Sequence, residues 1–556
     1  MRKRVAAALT AVATVAVSAA TGVAPAHADH LQSSVVSDNP MDKTPNVRDG
    51  TVRDFAVVGN KIVVAGTFTT VRNSGKPTDY ARHGIFAFDR ATGALDQAFT
   101  PQLNGSVNAL ATGENGTVYA GGGFTTVNGA SVNGLTQLRL SDGKATTGFT
   151  KARLNGSVFA LDKSGDQLYV GGTFTKATSA AHAAVARLDA STGKADANFD
   201  IQMSEPWKGV LRVGELAVDP LGSRLVMTGS FRKANGESRT QIAMVDVAGT
   251  KASLSSWRTE GFSATCGAAV DYYARDVDFS PDGAYFDVAA TGGRSDGRET
   301  LCDSATRWKS DATGTDVKPV WTNKTGGDSL YSIADTGAAV YVGGHQRWLD
   351  NPEGTDSKGP GAVDRPGIGA ISPSSGKALS WNPTRDRGHG VEALVASPTG
   401  LYVGSDTDNI GGEWHQKVAY LPLAASDADD GDDGAAPAGN TPDKNHKAEK
   451  PDKVVPVNKP HKHQAHHHGK NDAAANEVAA GPAADKSGRS ALPAGVPDSL
   501  HGVGPAVRAM NRADHLPFTG APIAISGAVA LALLIGGGGF MYYSRRMRRA
   551  DPEPLD

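Results

Sequence analysis

The sequence predicts an all-β fold, a seven-bladed β-propeller, followed by a disordered stalk and a C-terminal transmembrane helix. Three observations predict it. An apolar stretch ending in small residues and an aromatic recurs seven times along the first 423 residues. Each copy sits in a larger unit with four short strand signals and no helical period between them. Composition then changes abruptly after Leu423, and an apolar run lies near the C-terminus.

The repeat carries the fold. Its clear copies are Ile62-Val-Val-Ala-Gly-Thr-Phe68, Val118-Tyr-Ala-Gly-Gly-Gly-Phe124, Leu168-Tyr-Val-Gly-Gly-Thr-Phe174 and Leu225-Val-Met-Thr-Gly-Ser-Phe231. Degenerate copies begin at Val288, Val340 and Leu401, so successive copies stand roughly 50 to 63 residues apart. An alternating segment precedes each copy, as in Val107-Asn-Ala-Leu-Ala111, Val158-Phe-Ala-Leu161 and Val391-Glu-Ala-Leu-Val395. Asp219-Pro-Leu-Gly222, Ser280-Pro-Asp-Gly283 and Ser397-Pro-Thr-Gly400 join the two as type I turns, with proline second and glycine fourth. Asn128-Gly129 and Asn235-Gly236 then signal hairpins leading to a third strand such as Leu135-Thr-Gln-Leu-Arg-Leu140. A Thr-Gly turn or its like follows, then a fourth segment ending at Phe99, Phe149 or Phe199, and later at Trp257, Trp321 or Trp381.

Four strands per unit, repeated seven times, make one sheet per blade. The glycines let neighbouring backbones approach, and the phenylalanine after them fills the space between blades. The seventh unit reaches its third strand at Leu423 and has no fourth. Residues 29–46, with Leu31-Gln-Ser-Ser-Val-Val36, are the candidate closure strand for a propeller over residues 47–423.

The whole unit resembles the bacterial delta-sixty repeat propellers, relatives in shape of kelch-type domains. The likeness spans residues 53–423 and is best in the first three units. It implies the propeller and a surface or cell-wall setting, and no particular activity.

Residues 1–28 read as a secretory signal peptide: basic Met-Arg-Lys-Arg, an Ala/Val-rich run, and the small-residue site Ala26-His27-Ala28, so the mature chain begins at Asp29. At the other end Leu516-Pro517-Phe518-Thr519-Gly520 precedes an apolar span at 521–543 and a basic tail at 544–556. These three parts resemble the LPXTG sorting signal of Gram-positive (here actinobacterial) surface proteins. The resemblance implies that a sortase thiolate attacks the Thr519 carbonyl and releases the chain from Gly520 onward. A cell-wall amine then resolves the acyl-enzyme, leaving the protein on peptidoglycan through Thr519. Residues 424–515 have almost no aromatics and long runs of Ala, Pro, Asp, Lys and His. Such a segment cannot offset its ordering entropy by apolar burial, and it reads as a disordered wall-spanning stalk. Its histidines, among them His466, His467 and His468, are weak metal ligands at most.

A formal net charge of -2 and the lack of a basic stripe argue against nucleic acid. The two cysteines, Cys266 and Cys302, would lie outside the cell and are expected to pair. The glycine-rich copies are not phosphate loops, since none opens a helix or carries Gly-Lys-Ser/Thr. Asp406 and Asp408, with Glu413 nearby, are a weak Ca²⁺ candidate without EF-hand spacing. No cofactor is implied, and the chain is expected to be a monomer.

Departures from the repeat carry the functional expectation. Trp207, Trp308, Trp348 and Trp414 lie off the periodic aromatic position, and the sixth unit reads Gly343-Gly-His-Gln-Arg-Trp348. His345, Arg347, Trp348, Trp414 and His415 are therefore candidate ligand-binding residues, since exposed aromatics beside charged groups hold sugars and peptides. The bland alternative is that the tryptophans plug blade interfaces where the repeat phenylalanine is missing. The expected function is a wall-anchored binding or adhesion module for a polysaccharide, peptide or protein. The alternatives are a surface enzyme, acting on glycans or as an oxidoreductase at the channel mouth, and a structural envelope component. For the anchor, Thr519→Ala should leave uncleaved precursor at the membrane in fractionated cells; unchanged wall linkage would refute the sorting assignment.

Overall fold

The computed structural model describes residues 30–267, 270–292 and 300–424. The leader, the stalk with its histidines, the Leu516 to Gly520 pentapeptide, the apolar span and the charged loop Arg294-Ser-Asp-Gly-Arg298 lie outside the described residues. Among those described there is no α-helix, and none long and apolar enough to cross a membrane.

The fold is an all-β propeller. Seven sheets follow one another along the chain, each begun by one copy of the alternating segment. Those innermost strands are Val52–Val58, Val107–Thr112, Val158–Ser164, Arg212–Val218, Ala274–Phe279, Leu330–Asp335 and Val391–Ser397. Each pairs antiparallel with the strand formed by the glycine-bearing repeat, and that strand pairs with a third. Each innermost strand lies against the next one along the chain, and the first lies against the last.

In every sheet the ladder slips by one residue at the same place. The extra residue is Arg53, Asn108, Phe159, Gly214, Arg275, Tyr331 or Glu392. A bulge leaves its residue unpaired and re-aims its side chain. The glycines answer to this geometry. A Cβ on Gly122 would stand 2.0 Å from the Ser106 carbonyl oxygen, just before the bulge of its own sheet. One on Gly121 would stand 2.4 Å from the Val158 side chain of the next sheet. The repeat phenylalanines Phe68, Phe124, Phe174 and Phe231 are all buried, and Phe124 packs in a cluster drawn from the first and second sheets.

Four strands per unit is realised in the fourth and fifth sheets alone among those described. In the first, second, third and sixth sheets the fourth strand shrinks to one bridge, such as Phe88↔Leu95 or Leu188↔Ala195. The aspartate right after the bridge explains the first sheet: the Asp96 carboxylate accepts from the backbone N–H of Ala98 (2.9 Å) and Phe99 (3.3 Å). That turn ends the pairing and folds Phe99 back into the core. The Asn-Gly turns at 128–129 and 235–236, with both residues at positive φ, close small separate ribbons before the third strand begins.

The seventh sheet takes its outer neighbour from the other end of the chain. Val36 bridges Leu423, Ser37 N–H donates to the Pro422 carbonyl (2.7 Å), and Met41 N–H donates to that of Tyr420 (2.9 Å). Trp381 Nε1 reaches Ser37 O at 3.2 Å and the Tyr341 hydroxyl accepts from Val36 N–H at 2.9 Å.

Cys266 and Cys302 form a disulfide with Cα atoms 5.9 Å apart. It fills the place that the repeat phenylalanine takes elsewhere. The pairing starts the fifth copy at Phe286, two residues before the Val288 that the sequence suggests, so the residue equivalent to the phenylalanine is Gly292, whose added Cβ would stand 2.6 Å from that of Cys302. Trp308 is fully buried against Trp257 and Phe286, so it belongs to the core of the fifth sheet. Removing residues 29–45 should lower the melting temperature in calorimetry by about 4 °C, since each kcal/mol lost is worth only about 1–1.5 °C in a domain of this size and the segment contributes a few kcal/mol. An unchanged melting temperature would show that the ring holds without that segment.

Candidate binding face and channel

Strand direction divides the propeller into two faces. On one, innermost strands begin and repeat strands end, and the small ribbons stand there, including Trp348–Leu349 with Val363–Asp364 and Asn409–Ile410 with Glu413–Trp414. On the other lie the turns joining innermost and repeat strands, together with the chain's exit at Leu423, whose N–H donates to Thr399 O in such a turn (3.0 Å).

Trp207, Trp348 and Trp414 all fall on the ribbon face. Trp414 is 52% exposed, and Trp348 is half-buried under the guanidinium of Arg347, 4.2 Å from its ring centre. Trp207 carries Arg232 in the same way at 4.3 Å. Arg347 is held by a fork onto the buried Asp328 carboxylate (2.9 and 3.0 Å) and pairs with Asp356 as well. Arg387 reaches Asp328 at 3.4 Å and the His345 carbonyl at 3.1 Å. His345 Nδ1 lies 2.8 Å from Gly388 O, and withdrawal from water, then the Arg387 charge, holds its imidazole below the ordinary range. His345, Arg347 and Trp348 are thus one locked constellation.

His415 goes elsewhere. It is buried, with Nδ1 at 3.2 Å from the Thr44 hydroxyl and Nε2 at 3.3 Å from Glu413, bracing the N-terminal segment rather than facing solvent. Asp406 and Asp408 do not converge. Asp406 accepts from the backbone N–H of His389 (2.7 Å) and Gly390 (3.1 Å), while Asp408 pairs with Lys417 (3.0 Å). No group of three His, Cys, Asp or Glu side chains suited to a metal occurs among the described residues.

The sequence reading considered a site at the channel mouth but named none of the acids that line the channel. A cavity of about 190 Å³ is lined by Asp54, Asp162, Glu215, Asp276, Asp278 and Glu392, with Arg53 and His30. Four of these carboxylates share one task. Asp54 accepts from Leu110 N–H (2.6 Å), Asp162 from Val218 (2.7 Å), Asp276 from Ile333 (2.8 Å) and Asp278 from Asp335 (2.8 Å). Each donor belongs to the innermost strand of the next sheet. The legible signal was an acid breaking the Val-x-Ala-Leu pattern, as in Val52-Arg-Asp-Phe55 and Val213-Gly-Glu-Leu216.

Glu215 is the exception. It accepts from its own neighbour, Leu216 N–H, at 3.3 Å, and caps no other sheet. Withdrawal from water, then the charges of Asp276 and Asp54, pushes its carboxyl well above the ordinary range. Glu392 is the reverse. Withdrawal from water works to raise it, but the His389 bond (3.0 Å) and the charges of His389, Arg53 and Arg275 outweigh that and hold it low. Tyr331 stacks on His389 at 5.1 Å between ring centres.

Withdrawal from water also raises Asp54 and Asp276, each to about 7, against the backbone bonds they accept. Their unfolded value is near 4, so their contribution to stability is full below about pH 4 and is lost as pH rises toward 7. Each contributes at most about 1.4 kcal/mol per pH unit across that window. Asp54→Asn and Asp276→Asn should flatten the fall in melting temperature between pH 5 and 8; an unchanged slope would contradict the assignment.

No family model matches the chain, and no curated protein matches it in sequence. Among solved structures it is similar to the WD40 β-propeller domain of Doa1, with a TM-score of 0.41 and 13% identity over 70% of this chain and 97% of that one. It is similar also to the computationally designed Ika8 protein, with a TM-score of 0.38 and 13% identity over 71% of this chain and 100% of that one.

Proposed function

We propose that the seven sheets are the blades of a closed seven-bladed ring, displayed on the cell wall through Thr519, and that the ribbon face binds an extracellular polysaccharide or peptide. One observation carries the reading. The chain leaves the ring at Leu423 on the face opposite Trp207, Trp348 and Trp414. A stalk attached there leaves the aromatic face clear of its attachment point, which a binding module needs. The locked Arg347–Trp348 stack is pre-organised, so little ordering entropy is lost when a ring or a peptide group settles on it. The cavity in the channel, about 190 Å³, is smaller than the 300 Å³ or so at which small-ligand pockets begin, and favours the face over the channel for a polymer.

A second reading rests on Glu215 and Glu392. Two carboxyls facing one cavity, one raised and one lowered, are the arrangement of a general acid and a general base. That reading makes the protein a surface enzyme on glycans.

A glycan and peptide array, probed with the wild-type protein and with Trp348→Ala and Trp414→Ala, separates the two. Binding lost by about tenfold or more in either tryptophan variant, and retained in Glu215→Gln, supports the face. Cleavage of an arrayed glycan that disappears in Glu215→Gln and Glu392→Gln supports the enzyme. Full binding in both tryptophan variants would overturn the proposed site.

A further inference from the structure

The seventh sheet lacks the phenylalanine that plugs the first four. Phe68 stands two residues beyond Gly66, the partner of Val52, and the residue two beyond Ser405, the partner of Val391, is Thr407. The smaller side chain leaves space. A second cavity, of about 10 Å³, adjoins the ribbon of Asn409–Ile410 and Glu413–Trp414, with Arg385, Ser405, Thr407, Asn409, His415 and Lys417 on its polar side. A volume of that size holds one water-sized occupant. Every lining side chain that can carry charge is basic, and no carboxylate lines it.

Arg385 is the lining group with a donor to spare. Its side chain is 1% exposed, and its Nε has no hydrogen-bond partner. Its Nη atoms make only long contacts, to Arg387 O (3.3 Å) and Asp406 (3.4 Å). Arg82, Arg239 and Arg365 also leave Nε unpaired, but each donates firmly through Nη1 to a backbone carbonyl, at 2.8, 2.8 and 2.6 Å. The acids near Arg385 are committed elsewhere. Asp406 accepts from the His389 and Gly390 N–H groups, and Asp386 from the Asn409 amide (2.6 Å). Lys417 is paired with Asp408, and His415 with Thr44 and Glu413. Withdrawal from water pulls the Arg385 guanidinium down to about 10, against the charges of Asp406 and Asp386. A buried cationic donor without an acceptor is unfavourable, and an anion beside it removes the penalty. We propose that this cavity binds one chloride ion, which accepts from Arg385 Nε and wedges the seventh ribbon where the phenylalanine is missing. A water there would bring two protons that need acceptors to a wall with no carboxylate, whereas chloride brings none. His415 lines the same cavity and holds Thr44 (3.2 Å), so the ion also braces the ring closure. The inference requires neither the wall tether nor a ligand on the ribbon face.

The test compares the full chain in sodium chloride and in sodium gluconate at equal ionic strength, gluconate being too large for the cavity. Above saturation, each tenfold rise in a ligand of the folded state should raise the melting temperature by about 2 °C in a domain of this size. The wild-type protein should show that rise with chloride and not with gluconate. Thr407→Phe, which restores the ring carried by the first four sheets, should abolish it. Arg385→Lys keeps the charge but removes Nε, and should weaken chloride binding by about tenfold or more. Chloride NMR line widths give a second readout that does not depend on unfolding: the wild-type protein should broaden the signal saturably, bromide should reverse the broadening, and Arg385→Lys should lose it. Absence of both the chloride-specific rise and the saturable broadening identifies water as the occupant and overturns the proposal. An equal rise in the wild type and Thr407→Phe, or equal broadening in the wild type and Arg385→Lys, places chloride elsewhere and overturns it as well.

Discussion

The innermost strand of every sheet has one edge with no strand beside it. Its N–H groups face the channel or the next sheet, where a packed neighbour leaves little room for water. Unpaired buried donors cost on the order of 1–3 kcal/mol each. Asp54, Asp162, Asp276 and Asp278 meet that constraint by reaching from one sheet to the backbone of the next. Side chains elsewhere do the same in the other sense: Asn108 donates to Val158 O (2.8 Å), and Ser332 to Val391 O (3.0 Å). The shape of the ring and the acidity of its channel therefore have one cause. Carboxylates are there to stitch the sheets, and the cavity inherits their charge.

The same logic extends outward. Arg307 of the fifth sheet lies between the buried carboxylates of Asp287 (3.2 Å) and Asp335 (3.0 Å), tying the fifth sheet to the sixth. The sector from the fifth to the seventh sheet is also where the repeat phenylalanine is lost. Gly292 with the disulfide, Gln346 and Thr407 stand in its place. Gln346 is fully buried with neither side-chain amide atom bonded, while Arg347, next to it in sequence, shares Asp328 with Arg387. All seven sheets keep apolar cores, but only the first four keep the phenylalanine plug, and the unusual surface chemistry sits over the last three.

Much of the fold was legible because the repeat is enforced by sterics. Gly122 has a carbonyl 2.0 Å from where a Cβ would be, and the same place is glycine in the first and third sheets too, so the pattern is visible in one chain even though Ala290 and Ser405 take it in the fifth and seventh. The fourth strands were less legible, because Asp96 competes with the ladder by capping its own turn. Of the candidate site, His345, Arg347 and Trp348 come together because they are consecutive and share Asp328 and Gly388 as anchors. His415 is different: its partner, Thr44, is 371 residues away, and no local pattern announces such a contact. The channel acids were hidden for the same reason, since their donors lie a whole sheet further along.

The pairing of Val36 with Leu423 also defines how the ring carries load. In the proposed wall-displayed protein, a pull entering at Leu423 would load the third strand of the seventh sheet, Val418–Pro422, which is bonded on one side to Gly400–Ser405 and on the other to the N-terminal segment. The Trp381 indole, on Ser37 O, and the Gln32 amide, on Ser397 and Gly400, anchor that segment to the sixth and seventh sheets. Such a pull would be shared between two sheets before that strand could peel. The chain's beginning thus serves as the clasp that lets its end be pulled.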